Sequence, residues 1–97
     1  MTNLPILDSE LKMIYDDFVD CLEKQKQNLF DLQFEELRYL FLKALLVKDN
    51  NIIYIQILRE LVEKILEYRV RISKNILNFL EAESKTFILM VQRLKES

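Results

Sequence analysis

The chain is 97 residues long, 51% hydrophobic and 31% charged, with 14 cations against 16 acids and a net charge of −2. That balance excludes a disordered tail and a strongly basic nucleic-acid binder, and no run of about 18 uncharged apolar residues is present to span a membrane. With no glycine and one proline, the positive-φ turns of sheet proteins and the close backbone approach of phosphate loops are also excluded, so the expected fold is all-α.

Pro5 precedes the first helix, and Asp8 or Ser9 can cap it by accepting from a free first-turn amide. Leu11, Ile14, Tyr15, Phe18 and Leu22 recur three and four apart, which predicts an amphipathic helix over about 9–27. The polar run from Glu23 to Asn28 is its exposed end or a short connection. Asn28 or Asp31 can cap a second helix, over about 31–48. From Leu40 to Val47 this helix is apolar nearly all round, and Tyr39 and Phe41 cannot both point inward. Such a surplus implies a partner or self-association surface, for which Tyr39, Phe41, Leu42, Leu45 and Leu46 are the candidates.

Lys48 to Asn51 is a polar break in which an asparagine can take a left-handed helix end and Asn51 can cap the next helix. Apolar residues then keep helical spacing from Ile52 to about 79, a third helix of roughly 40 Å that would be the central pillar. A break is expected between Asn78 and Ser84, followed by a last helix over about 83–95 carrying Phe87, Ile88, Val91 and Leu94; one unbroken helix over 52–95 is the alternative. The sum is one domain, 1–97, resembling a four-helix bundle with a long third helix.

Charge is unevenly placed. Residues 1–36 hold nine acids against three lysines, whereas 37–97 hold eleven cations against seven acids. On a continuous third helix Arg69 falls in line with Ile65, Ile72 and Ile76. Its guanidinium must then reach a carboxylate or snorkel out, because stranding a buried charge costs several kcal/mol. Asp16, Asp17 and Asp20 on the acidic first helix are the candidate partners in a structural ion pair. Arg71 and Lys74 lie on a neighbouring polar face with Glu67 and Asn78, a possible polar contact face.

Catalytic chemistry is poorly supplied. There is no histidine, so the commonest general base and metal ligand is missing. Cys21 lacks an activating histidine and cannot form an internal disulfide, which suits a reducing compartment. No basic-then-apolar leader pattern opens the chain, so a cytoplasmic protein is expected. The acids of the first helix splay over a solvated face, unlike the irregular loops that wrap hard cations. No catalytic residue, cofactor or metal is expected, and neither is direct nucleic-acid binding.

The run from Leu58 to Ile76, with Arg69, Arg71, Lys74 and Ile76 at its end, resembles the long helix in the α-domain of GINS replication subunits. Leu80 to Glu83, followed by the stripe from Phe87 to Leu94, is similar to that family's turn and last helix. Leu4-Pro5 before an acidic helix with Tyr15 is similar to the archaeal amino-terminal segment. The family's small β-domain has no room here. The resemblance implies a non-catalytic subunit that joins sister subunits and bridges the MCM helicase to a RecJ-like protein. It also implies that Arg69 holds the domain together while helix 2 pairs with a sister subunit. A weaker resemblance, Ile65 to Arg69, is to the first helix of helical chorismate mutases, where an arginine binds a substrate carboxylate. A third expectation is a small homodimeric helical adaptor or accessory protein that pairs through helix 2.

Overall fold

The computed structural model describes residues 7–96, and the expectations for Leu4 and Pro5 lie outside them. All of the regular structure among these residues is helical: α1 Ser9–Lys24, α2 Asp31–Leu46, α3 Asn51–Glu67, α4 Lys74–Glu83 and α5 Ile88–Glu96. Short 3₁₀ turns occupy Lys26–Asn28 and Lys85–Phe87. The fold is all-α, but among the described residues five helices replace the expected four. At 17 residues, α3 is one residue longer than α1 or α2, so the described residues form no long pillar.

Local chemistry sets most of the boundaries. Asp8 caps α1 by accepting from the Leu11 amide at 2.9 Å. Neither Asn28 nor Asp31 caps α2. Phe30 holds the cap position, and its amide donates to Gln33 Oε1 at 3.0 Å, so the fourth residue satisfies the first. Asn50, not Asn51, caps α3, accepting from the Ile53 amide at 3.3 Å. No asparagine takes a left-handed end, because Arg69 is the positive-φ residue among those described.

The helix expected to run to about 79 stops at Glu67. Val70 and Ile72 are β-branched, and Ser73 offers its hydroxyl to the Ile76 amide at 3.2 Å, starting α4. These residues have weaker helix preference, and a serine cap competes for the backbone. The expected break between 78 and 84 is realised only at its end. There the buried Ser84 hydroxyl donates back to the Leu80 carbonyl, and a 3₁₀ turn leads into α5.

The α2–α3 hairpin forms the main packed pair; α1 lies on α2, α5 on α3, and α4 against both α1 and α5. Phe41 lies within this core. Phe18 meets its ring edge-on with centroids 4.6 Å apart, and Phe79 meets it at 5.9 Å. Edge-to-face pairs of this kind add to the burial of the rings themselves. One apolar cluster runs through all five helices. Among the described residues, no helix is long and apolar enough to cross a membrane.

Candidate functional site

The segment from Tyr68 to Ser73 joins α3 to α4 and forms one side of the site, with α5 on the other. It begins with a paired end of α3. The Arg69 amide donates to the Leu66 carbonyl at 3.2 Å, and the Val70 amide to Ile65 at 3.0 Å. This is the Schellman pairing, which needs a left-handed residue and usually finds it in glycine. The chain has no glycine, and Arg69 takes the position at φ 55°. A residue bearing a Cβ is strained there. Burial of Val70 against Ile65 compensates, with both side chains at most 5% exposed.

Gln25 then clamps the segment to the end of α1. Its amide nitrogen donates to the Arg71 carbonyl at 2.5 Å and to the Cys21 carbonyl at 2.9 Å, and its oxygen accepts from the Arg71 amide at 2.7 Å. Ser73 adds a second tie, donating to Asp17 at 3.0 Å while it caps α4. On the other side, the Tyr68 hydroxyl donates to Glu36. That bond, with burial second, raises the Tyr68 hydroxyl above its usual titration range. Lys64 lies over the Tyr68 ring at 5.6 Å, and the Glu36 carboxylate raises its own pKa.

Arg69 is therefore not the expected anchor. It is exposed, and no carboxylate of α1 reaches it: Asp16 holds Lys12 at 2.8 Å, Asp20 holds Lys24 at 3.0 Å, and Asp17 holds Ser73. The cause is the end of α3, which turns Arg69 out of line with Ile65 and sends Val70 inward. Arg71 and Lys74 are exposed as expected. Glu67 pairs with Lys64 at 3.8 Å rather than with Arg71, since no helix spans Glu67 to Arg71.

Beyond this segment opens a groove of about 870 Å³. Ile65, Leu66, Val70, Ile72, Leu77 and Leu94 supply its apolar lining, and Arg69, Arg71, Lys74, Arg93 and Lys95 its positive charge, with Glu96 the one acid. A second depression of about 410 Å³, between the end of α1 and this segment, shares Arg69 and Arg71. Lys95 is held by Glu81 at 2.9 Å. Most cations elsewhere are also occupied, by carboxylates or, for Lys26 and Lys43, by aromatic rings. Among the described residues, the cations with neither partner are Arg69, Arg71, Lys74, Lys85 and Arg93, and four of these five line the groove. Uncompensated charge is concentrated at one place.

The expected α2 surface divides. Phe41 and Leu45 are core residues, at 0% and 2% exposure, Phe41 meeting Phe18 of α1 and Phe79 of α4; they belong to no surface. Leu42 is half-buried, and Tyr39 and Leu46 are exposed. Leu32, seven residues before Tyr39, is exposed too, and its spacing was a readable signal. Arg93 and Gln25 carried none, since only the tertiary fold brings them to the 68–73 segment.

Comparison of the chain with models of known families, with characterised proteins and with solved structures finds no match.

Proposed function

We propose that the chain is a non-catalytic helical interaction module that holds an acidic, partly apolar segment of a partner protein in the groove beside the α3–α4 junction. The observation that carries this reading is the gathering of Arg69, Arg71, Lys74 and Arg93 without carboxylate partners around an apolar lining. Guanidinium groups offer paired donors to carboxylates, and the aliphatic lining rewards leucine-like side chains between them. A nucleic acid fits less well. Among the described residues no aromatic ring lines the groove for base stacking, and the chain is acidic overall, with a pI near 5.2. The absence of histidine and the burial of the single cysteine support a binding role over a chemical one.

A narrower role as a GINS-like replication subunit is supported by the resemblance at Arg69, Arg71, Lys74 and Ile76. Its mark would be assembly with unlike subunits, seen as a complex of defined mass recovered from the native host.

The test of the binding role is fluorescence anisotropy with a labelled peptide that alternates glutamate and leucine. Binding that weakens with salt, and roughly tenfold or more in the double variant Arg71→Glu, Arg93→Glu, supports the reading. Equal binding by that variant, or preference for a single-stranded oligonucleotide, contradicts it.

A further inference from the structure

We propose that a second copy of this chain packs antiparallel against the outer face of α2, about a two-fold axis at Tyr39. Leu32, Tyr39 and Leu46 are exposed by 84%, 57% and 43%. They lie seven residues apart, so they form one stripe of roughly 21 Å along the helix. The buried residues Leu37, Phe41 and Ala44 occupy the opposite side. An apolar line facing away from its own core is what a second helix covers, and spacing by sevens is the seam of paired helices.

The pattern also identifies the occupant. A two-fold interface requires a surface that complements itself when reversed. Leucine, six residues, tyrosine, six residues, leucine reads the same in both directions. The antiparallel copy therefore sets Leu32 against Leu46 and Tyr39 against its own equivalent.

Charge then fixes the direction. Glu36 and Lys43 flank the stripe on the same side, three residues before Tyr39 and four after it. In the antiparallel pair each Lys43 lies level with Glu36 of the other copy, a carboxylate that also accepts from Tyr68 and lies 3.9 Å from Lys64 within its own chain, and symmetry makes that contact twice. In a parallel pair the flanking positions would set Asp31 across from Glu36 and Arg38 across from Lys43, like against like both times. The antiparallel pair has one such meeting, Arg38 with its own equivalent, where Glu35 already holds each guanidinium at 2.6 Å. Among the described residues no carboxylate of its own chain holds Lys43, and its ammonium lies 5.9 Å over the Tyr39 ring, already at the seam. The proposal shares no residue with the groove and stands apart from the function proposed for it.

Sedimentation equilibrium of the full chain, together with disulfide trapping, tests this. Expected are a dimer, and a monomer with unchanged circular dichroism for Tyr39→Glu. Lys43→Glu should weaken the dimer, and Lys43→Arg, which keeps the charge, should preserve it. With Cys21 replaced by alanine throughout, a Leu32→Cys chain mixed with a Leu46→Cys chain should oxidise to a covalent pair, while neither does so alone. A wild-type monomer at all concentrations, a dimer that Tyr39→Glu leaves intact, or self-linking of Leu32→Cys alone each overturns the proposal.

Discussion

The amide of Val70 donates to the carbonyl of Ile65 at 3.0 Å, and both side chains are buried, so the residue just before Val70 is forced into a left-handed turn. That residue is Arg69, at φ 55°. The stability of the α3 end and the placement of the groove's first cation are therefore set by a single backbone angle.

Arg69→Gly separates the two. Glycine takes positive φ without steric cost, so the variant is expected to be more stable by roughly 0.5–1 kcal/mol in urea unfolding. It also removes a cation from the groove and should bind the acidic peptide less tightly. Arg69→Lys, which keeps both strain and charge, should change neither by much.

Gln25→Ala removes both arms of the clamp on Arg71. A cost of about 1–3 kcal/mol is expected, since a half-buried amide making three bonds is lost. Hydrogen exchange gives the sharper readout: the Arg71 amide, bonded to Gln25 Oε1, should lose its protection, while amides in the middle of α2 keep theirs.

Phe41→Ala opens a cavity among Phe18, Phe79 and the α2–α3 packing, for which a loss of about 3–5 kcal/mol is expected. Tyr39→Ala, on the outer face, should cost the isolated protomer less than about 0.5 kcal/mol. Denaturant midpoints of the two variants, compared at low concentration, check the division of α2 into an inner and an outer side.

This division shows where the sequence was legible. The α1 stripe follows from spacing and the start of α1 from two adjacent short polar side chains, Asp8 and Ser9, but that Asp8 is the cap only the coordinates decide. The opposition of Tyr39 and Phe41 is legible too, since residues two apart cannot share a helix face, but the side each one takes depends on α1 and α3. The end of α3 was hidden because an arginine occupies the place where a glycine would mark it. Once Arg69 is read as helical, its alignment with Ile65 and Ile72 suggests burial that never occurs. The groove is hidden for another reason. Arg71 and Arg93 are distant in sequence, and α5 must fold back on α3 before they share a surface.

Alkaline titration offers an independent check of the packing at Tyr54. Burial, then the 2.5 Å bond to Glu83, pushes its hydroxyl well above the ordinary value of 10.0. Unfolded chains therefore release this proton at lower pH than folded ones. Its contribution is fully present below about pH 10 and is lost as pH rises above that value. Urea midpoints measured from pH 9 to 11 should fall less steeply for Tyr54→Phe than for the wild type.

Backbone amide shifts, followed by nuclear magnetic resonance as the glutamate–leucine peptide is added, test the proposed binding role most directly. Shifts concentrated at 65–77 and 91–96, abolished by the Arg71→Glu, Arg93→Glu variant, are expected. Shifts confined to the outer face of α2, or none at peptide saturation, would contradict it.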